Sequence, residues 1–559
     1  MSFLCLPVLL LAAPGSPQSV GGASELLYQW DSPWSSAAFG DVVSPAGDVN
    51  ADNVEDILVS APLASFGGTL YWGGVFLYSG ADGTLLMQKT GQHAFDRFGS
   101  SLAPAGDLNH DGFDDFYIGA QGTNPGNAWG TGSVYAVSGA DGSLLFQWDG
   151  TLAYGYFGKT IANAGDINGD GTADLVVGAP AANYLGYAAD IGVVYAYSGA
   201  DGSLLFQWSG LNVDDLFGYC VSAAGDLNAD GFDDVLVGAP GVTTGYLEEG
   251  RAIAYSGADG SVLYEWDGQN QFAHFGTYVT AIGDCNQDGH ADIAVSESES
   301  HATKVILYSG ADGLPLFHWD GLDFSSGLQS VAHAGDVNGD GIEDILAGAY
   351  HRTLTTGSEH SVVVYSGQDG SIINQWRAPS YGDNSGDGFG RSIASAGDLN
   401  GDGLDDVVIG SYRDYPAGDS GSTYVMSFHP FLIPSTTSIS GLSGGTLFLQ
   451  LDFPEDAALD RYKVLISETG HGPTHYGIAV PLTLDTLLYQ TFVGFYPVSG
   501  TANMHGVLDV LGDATASITL PAGVPAALQG HTFFLAAIAS KPGQLPEYSS
   551  SAVALEITP

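Results

Sequence analysis

Most of the first 430 residues consist of short apolar runs separated by turn residues. Two of these runs are almost identical, LVVGAP at 175–180 and VLVGAP at 235–240, and a longer one at 193–208 has the sequence VVYAYSGADGSLLFQW. Runs of this length that are rich in β-branched and aromatic residues and end at Gly, Pro or Asp are typical of β-strands, because a helix shows a period of about 3.6 residues instead. Tight hairpins are expected at the Asp-Gly pairs, where glycine adopts a positive φ at no steric cost. These pairs lie at 82–83, 141–142, 201–202, 259–260, 312–313 and 369–370.

The runs belong to a unit that repeats seven times. Each unit contains a segment of the form Gly-Asp-x-Asn-x-Asp-Gly-x-x-Asp, with Asn53 in place of the second glycine in the first copy, and successive copies lie 52 to 62 residues apart. In six copies a Phe-Gly pair precedes the first Asp by nine residues, and the sixth copy has Gly327 and Leu328 there instead. Four strand-length runs in each unit, joined by turns, predict the blade of a β-propeller.

The two ends of the repeated region complement each other. The seventh unit ends after STYVMS at 422–427 and lacks the run LLFQW, while LLYQW stands at 26–30, before the first Phe-Gly pair. An N-terminal strand that completes the last blade closes the ring and removes its exposed edges. A solenoid, the competing architecture for repeats, gains nothing from this offset. The fold class predicted for residues 21–430 is all-β, a seven-bladed β-propeller closed by an N-terminal strand.

Charge narrows the choice of partners. The 559 residues include 63 Asp and Glu but only 12 Lys and Arg, which gives a formal net charge of −51. Nucleic acid is excluded as a partner, and an anionic membrane surface is disfavoured, because binding to either needs clustered cations. Apolar residues make up 45% of the chain, which is enough for a large core and argues against disorder.

The beginning of the chain is typical of an exported protein. An apolar stretch at 3–13 runs into small residues, and we expect residues 1–20 to be a signal peptide. No later stretch reaches the roughly 18 to 20 apolar residues of a spanning helix, so no transmembrane segment is expected. Cys5, Cys220 and Cys285 are too few for a disulfide framework, and the last two are expected to be buried thiols. The expected location is secreted or at the cell surface, extracellular or periplasmic.

The repeated acidic segment is a candidate calcium site. In the third copy, Asp166, Asn168, Asp170 and Asp174 supply side-chain oxygens at positions 1, 3, 5 and 9, and the backbone carbonyl of position 7 joins them if position 6 turns the chain. Hard oxygen ligands suit Ca²⁺, which takes about six to eight of them. An EF-hand would need Glu at position 12, where every copy has an apolar residue. An Asx-rich turn without an ion is the alternative, and the mutual repulsion of three carboxylates in nine residues argues against it.

We therefore expect up to seven structural calcium ions. The predicted ligands, five in each copy, are Asp48, Asn50, Asp52, Val54 and Asp56; Asp107, Asn109, Asp111, Phe113 and Asp115; Asp166, Asn168, Asp170, Thr172 and Asp174; Asp226, Asn228, Asp230, Phe232 and Asp234; Asp284, Asn286, Asp288, His290 and Asp292; Asp336, Asn338, Asp340, Ile342 and Asp344; and Asp398, Asn400, Asp402, Leu404 and Asp406.

A Phe-Gly pair, an acidic loop and a Gly-Ala-Pro end together resemble the FG-GAP repeat of the integrin alpha-chain N-terminal β-propeller. The resemblance covers about residues 26–428. It implies the same fold and the same calcium-ligand positions. The chain differs from the integrin pattern because no transmembrane helix follows, no ligand-binding domain is inserted between blades, and every copy keeps its acidic loop.

The sequence favours a binding function over catalysis. The histidines do not recur at one repeat position, no His-Glu-x-x-His motif occurs, and no catalytic or other cofactor-binding residue is predicted. We expect a calcium-binding adhesion module for an extracellular protein or glycan ligand, with a polysaccharide hydrolase or lyase on the propeller scaffold as the alternative. The contact surface is expected on the face opposite the acidic loops, where the long connections carry aromatic residues. These are Trp129, Tyr154, Tyr184, Tyr187, Tyr246 and Tyr381.

After the seventh unit the repeat is lost. Residues 431–559 alternate apolar runs such as TLFLQLD at 446–452 with Gly and Pro turns, and show little helical period. The pattern predicts a smaller β-sandwich-like domain.

Overall fold

A computed structural model describes the repeated region and the strands on either side of it. The described residues are 24–428, with gaps at 35, 66–69, 126–128, 183–189, 300–301, 321–327, 354–356, 379–387 and 413–419, together with the strand Gln18–Ser19 and the strands from Leu432–Pro434 to Val553–Thr558. These residues contain no α-helix, and hence none that is long and apolar enough to cross a membrane. The signal peptide predicted for residues 1–20 lies almost entirely outside the described residues and stays a prediction.

Seven antiparallel sheets form the blades of a propeller, as predicted. Two strands precede the first blade, β1 (Gln18–Ser19) and β2 (Ser24–Asp31). Blades one to six each take four consecutive strands in the order of the sequence. These strands are β3 (Val43–Gly47), β4 (Asp56–Ala61), β5 (Gly74–Tyr78), β6 (Leu85–Thr90), β7 (Phe98–Gly106), β8 (Asp115–Ala120), β9 (Ser133–Val137), β10 (Leu144–Asp149), β11 (Thr160–Asn163), β12 (Leu175–Ala179), β13 (Val193–Tyr197), β14 (Leu204–Ser209), β15 (Cys220–Gly225), β16 (Asp234–Ala239), β17 (Arg251–Tyr255), β18 (Val262–Asp267), β19 (Val279–Ile282), β20 (Asp292–Glu299), β21 (Ala302–Tyr308), β22 (Pro315–Asp320), β23 (Leu328–Gly335), β24 (Asp344–Thr353), β25 (Gly357–Tyr365) and β26 (Ile372–Arg377).

The first strand of each blade is the innermost. These first strands contact one another in an unbroken ring, β3 with β7, β7 with β11, and so on to β27 (Phe389–Gly397), which contacts β3 again. Between the blades lies the core. Val176 and Val194 of blade three, for example, pack with Phe217, Val235 and Val237 of blade four. The phenylalanine of each Phe-Gly pair therefore seals a junction between two blades.

The seventh blade is closed by the N-terminal strand. Its order is β2, β29 (Ser422–Phe428), β28 (Asp406–Ser411) and β27, and β2 runs antiparallel to β29 from Ser24 opposite Phe428 to Asp31 opposite Ser422. The Ser422 hydroxyl donates to Asp31 Oδ1 at 2.7 Å. The predicted closure is confirmed.

Tryptophans on the outermost strands tie each blade to the next. The indole N–H of Trp208 in blade three donates to the Gly260 carbonyl in the Asp-Gly turn of blade four at 2.9 Å. The same bond recurs from Trp30, Trp148, Trp266 and Trp319. In blade one Lys89 stands at the tryptophan position and its ammonium donates to the Gly142 carbonyl. Trp376 instead donates to the Ser24 hydroxyl of the closing strand at 2.7 Å.

The two cysteines among the described residues are free thiols. Cys285 is buried and Cys220 is half-buried, and burial raises the pKa of both. They lie in different blades, as expected for apolar packing residues rather than a redox pair.

Two short additions flank the propeller. The strand β1 pairs with the outer edge of blade six, with Gln18 opposite Arg377. After residue 430 the structure describes backbone strands only, in sheets of four, six and two strands. Their bounds are Leu432–Pro434, Ser438–Ser440, Gly445–Asp452, Arg461–Ser467, Pro473–His475, Ala479–Pro481, Thr501–Ala502, His505–Val507, Asp513–Leu520, Thr532–Ser540, Tyr548–Ser549 and Val553–Thr558. The β-sandwich predicted for residues 431–559 stays a prediction.

Ring closure can be tested by truncation. A chain that begins at residue 32 lacks β2, so it exposes the edge of β29 and the apolar surface that β2 covers. We expect a melting temperature lower by at least several degrees and concentration-dependent oligomers, because an open strand edge pairs with other chains. A chain that begins at residue 21 keeps β2 and is the matched control. Equal melting temperatures and purely monomeric behaviour of the two chains would contradict the closure.

Candidate functional site

The acidic loops join the first and second strands of each blade, on one face of the propeller. The Asp-Gly turns join the third and fourth strands on that same face, which we call the loop face. The other connections, between the second and third strands and from blade to blade, lie on the opposite face. We call it the FG face, because the Phe-Gly pairs lie there, where the first strand of a blade begins.

Within each loop the polar side chains are turned toward backbone N–H groups. In blade three, Asp166 Oδ1 accepts from the N–H of Asp170 at 3.0 Å, and Asp166 Oδ2 accepts from that of Gly171 at 2.8 Å. The Asn168 amide oxygen accepts from the N–H of Asp170 at 2.9 Å, and Asp170 Oδ1 from that of Thr172 at 2.9 Å. Positions 1, 3 and 5 are therefore gathered around one turn, as predicted from their spacing.

Two positions of the loop have a left-handed backbone. Position 6 does so in every blade, with Gly171 at φ +89° and Asn53 at +66°, as expected for residues that tolerate this conformation. Position 4 does so too, with φ between +56° and +76°, although it is Ala51, His110 or Gln287 in some copies. Sequence reasoning missed position 4, since the residue type there does not signal the conformation.

The carboxylate at position 9 is buried inside the blade. Asp174 has no exposed surface, and its two oxygens accept from the N–H groups of Ile167 and Gly199, each at 3.0 Å. It thereby ties the acidic loop to the Asp-Gly turn of the same blade, an arrangement found in blades one to six. Burial, with the charges of Asp170 and Asp166, raises the pKa of Asp174 to about 7. A positive charge nearby would favour the ionised form of this group.

The loops present oxygen donors that suit a hard cation. A carboxylate oxygen that accepts one N–H keeps a second lone pair, so these hydrogen bonds leave the oxygens able to bind an ion. Burial also raises the pKa of Asp56 and Asp406 to about 7, and that of Asp115 to about 6, with the charges at positions 1 and 5 adding to the shift in each case. This donor chemistry suits calcium. In the described part of the chain, however, no group of three or more His, Cys, Asp or Glu is placed so that it could hold a metal ion, and the calcium-ligand set stays a prediction.

Position 8 links the loops of neighbouring blades. Asp114 Oδ2 in blade two accepts from the N–H of Asp48 in the loop of blade one at 2.9 Å, and Asp233 accepts from that of Asp166 at 2.9 Å. Asp405 accepts from the N–H of Asp336 in blade six, and Glu343 accepts from that of Gly283, just before the loop of blade five. Alanine occupies position 8 in blades three and five, so this contact is not part of every repeat.

Exposed apolar side chains gather on the FG face. The residue three positions before the phenylalanine of a Phe-Gly pair has a positive φ in the five blades where it is described. The angle is +69° for Phe95, +58° for Tyr154 and +59° for Phe272. The N–H of this residue bonds to a carbonyl in the preceding blade, that of Trp129 for Tyr154 at 2.7 Å and that of Leu247 for Phe272 at 2.8 Å. Bulky residues rarely adopt this conformation, so surrounding structure must hold them there.

Apolar side chains on this face are exposed to solvent. Trp129 is 62% exposed and Tyr154 is 59% exposed, and Tyr246 at 55% lies beside Leu247. The exposure predicted for Trp129, Tyr154 and Tyr246 is confirmed, whereas Tyr184, Tyr187 and Tyr381 lie outside the described residues. The exposed apolar residues on this face are Leu70, Phe95, Trp129, Tyr154, Tyr156, Leu211, Val213, Tyr246, Leu247 and Phe272.

Comparison with known proteins agrees with this geometry. The FG-GAP repeat matches residues 98–137, 157–197, 217–261 and 389–426, and an FG-GAP-like repeat matches 284–347. Integrin alpha-5 of Xenopus laevis is 32% identical over 231 residues, which are 39% of this chain and 21% of that protein. Integrin alpha-4 of Xenopus laevis is 30% identical over 279 residues, which are 46% of this chain and 25% of that protein. Integrin alpha-V of Gallus gallus is 30% identical over 214 residues, which are 35% of this chain and 20% of that protein.

The matches cover only part of the relatives. The chain spans about a fifth to a quarter of the length of these integrin chains. The residues that match the FG-GAP repeat contain the Phe-Gly pairs and acidic loops of blades two, three, four and seven. The propeller of this chain is built from FG-GAP repeats and is similar in sequence to integrin alpha chains.

Proposed function

We propose that this propeller is a calcium-stabilised binding and adhesion module, secreted or at the cell surface, that takes an extracellular protein or glycan ligand on its FG face. The observation that carries the proposal is the set of exposed apolar side chains on that face. Among them are Trp129 and Tyr154, which are joined by a backbone hydrogen bond, and Tyr154 has a positive φ. Exposed apolar patches of this kind are typical of interaction surfaces, and aromatic residues supply much of the binding energy at such surfaces.

Calcium in this proposal is structural. Asp and Asn side chains at positions 1, 3, 5 and 9 and the carbonyl at position 7 would hold one ion in each loop, and the ion would supply the positive charge that crowded carboxylates lack. The buried Asp174, whose pKa burial raises to about 7, supports this assignment. Since the acidic loops lie on the loop face and the exposed apolar side chains on the FG face, the ions would stabilise the blades without touching the ligand.

A polysaccharide hydrolase or lyase is the competing function. In such an enzyme two carboxylates flank the scissile bond. Many of the clustered carboxylates in the described residues belong to the acidic loops, where backbone N–H groups hold them. These carboxylates therefore lie on the loop face, away from the FG face on which we place the ligand.

Calcium coupling is tested by one substitution in one loop. Asp170→Asn removes a charge from the third loop at nearly constant volume and should lower the bound calcium by about one ion per chain. A ligand at about 100 times its Kd stabilises the folded state by about 2.7 kcal/mol, so the variant should also lose part of the stabilisation that calcium confers on the wild type. Equilibrium dialysis with metal analysis measures the count, and thermal melts with calcium or EGTA measure the coupling.

The control is Asp190→Asn, an exposed carboxylate outside the loops in the same blade. It should leave both the count and the melts unchanged. A wild-type protein that binds no calcium, or melts identically in EGTA, would refute the calcium assignment.

Ligand binding is tested with an array of matrix proteins and glycans probed by the full chain in calcium. We expect a saturable ligand whose affinity falls about tenfold or more in the double variant Trp129→Ala, Tyr154→Ala, because exposed aromatic anchors are typical hot spots. Leu204→Ala removes a similarly exposed apolar side chain, 51% exposed, from the outermost strand of blade three and should have little effect. Equal losses in both variants, or polysaccharide cleavage products in the same assay, would contradict the proposed function.

A further inference from the structure

The residue that follows each Phe-Gly pair lies at one mouth of the propeller's central channel. The innermost strands contact one another in a closed ring and all begin on the FG face, so their first residues surround the axis there. In blade six, Gln329 occupies the equivalent place after Gly327 and Leu328. We call this set the axial ring. Its members are Asp41, Ser100, Lys159, Tyr219, Thr277, Gln329 and Arg391.

The axial ring contains two of the few cations in the chain. The chain has 12 Lys and Arg against 63 acids, yet Lys159 and Arg391 both stand in this ring. The Lys159 ammonium lies 4.0 Å from the centroid of the Tyr219 ring, a cation–π contact between blades three and four. The Arg391 guanidinium lies 5.1 Å from the centroid of the Tyr412 ring, and its Nε donates to Asp41 Oδ1 at 2.9 Å.

Residues of non-adjacent blades interact across the axis. Burial lowers the pKa of Lys159, and the charge of Arg391, four blades along the chain, lowers it further, while Asp190 opposes the shift. Burial raises the pKa of Tyr278 in blade five, and the charge of Arg391 opposes that shift. The innermost strands of blades three, five and seven thus bring these groups near enough for the charge of Arg391 to act on the other two.

The positive charge there is only partly balanced. Asp41 pairs with Arg391 at 2.9 Å. Among the described residues, Lys159 makes its close contact with an aromatic ring and forms no ion pair with a carboxylate. Among the described residues the negative charge that acts on Lys159 is that of Asp190, which forms no ion pair with it.

We propose that the axial ring binds one carboxylate of a protein ligand, an Asp or Glu side chain, between Lys159 and Arg391, with Tyr219 as an aromatic wall. This inference rests on the proposed function, a ligand on the FG face, and names the ligand's chemistry. A charge-assisted hydrogen bond from each cation to the carboxylate replaces the hydration that the half-buried Lys159 has lost.

Charge favours a protein over an acidic polysaccharide as the source of this carboxylate. A polyanionic chain would meet repulsion from the strongly negative surface at every sugar that lies away from the axis. A protein that presents a single carboxylate within a basic surface meets that repulsion at one group only, and the acidic surroundings attract the rest of its surface.

The test uses a peptide probe with one carboxylate. In the full-length protein with ¹³C-dimethylated lysines, which keep their charge, the NMR signal of Lys159 is assigned by its loss in Lys159→Arg. Addition of acetyl-Gly-Asp-Gly-amide should shift this signal saturably, and acetyl-Gly-Asn-Gly-amide should not. The signal of Lys304, which pairs with Glu297 in blade five, should stay in place with both peptides.

Arg391→Gln should weaken the Asp peptide at least tenfold. Arg251→Gln is its control, because Arg251 is held by Asp267 on the outer strands of blade four, away from the axis. An unshifted Lys159 signal, equal shifts with the Asp and Asn peptides, or equal losses in the two arginine variants would overturn the proposal. The peptide comparison needs no arginine variant, so it remains decisive even if Arg391→Gln does not fold.

The proposed function can fail separately. An array without any ligand, together with a Lys159 signal that shifts with the Asp peptide, would refute the adhesion module and leave the carboxylate site standing. A protein ligand that binds wild type and Lys159→Gln equally, together with an unshifted Lys159 signal, would refute the site alone.

Discussion

The pairing of β2 with β29 is the interaction on which the rest of the molecule depends. It joins Asp31 and Ser422, which are 391 residues apart in sequence, and so converts a row of seven sheets into a ring. Bringing such distant segments together costs loop-closure entropy, which the covered strand edge and the buried apolar contacts offset. Only in the closed ring do the innermost strands surround an axis, and only then can groups of blades three, five and seven meet.

Closure also separates two kinds of surface. Antiparallel strands alternate in direction, so the acidic loops all emerge on one face and the long blade-to-blade connections on the other. On the loop face, backbone N–H groups hold crowded carboxylates, and position 8 links one loop to the next through contacts such as Asp114 with Asp48. On the FG face, apolar side chains are exposed to solvent, and Lys159 and Arg391 lie near the axis. The acidic loops thus lie away from the surface proposed to bind a ligand.

The sequence predicted the parts of the structure that depend on repeated residue types. The number of blades follows from the repeated apolar runs, and the closing strand follows from the run missing in the last unit but present before the first. The sharp turn at position 6 follows from the glycine there. All three predictions are confirmed. Features supported by the backbone or by varied residues could not be predicted. Position 4 of the acidic loop has a left-handed backbone even where the residue is Gln287. Lys89 takes the place of tryptophan at one blade junction. Position 8 bonds to the neighbouring loop only where its residue is acidic, as with Asp114. The calcium ligands stay a prediction, because the loop carboxylates are shown in hydrogen bonds with backbone N–H groups.

Hydrogen exchange measured by mass spectrometry, with calcium and with EGTA, shows whether calcium acts on the loop face alone. Removal of calcium should speed exchange in the acidic loops and the strands that flank them, such as 166–177, because unscreened carboxylates repel one another there. The FG-face connections, such as 150–158, should exchange at nearly unchanged rates. Equal acceleration on both faces, or no acceleration at the loops, would contradict a calcium effect confined to the loop face.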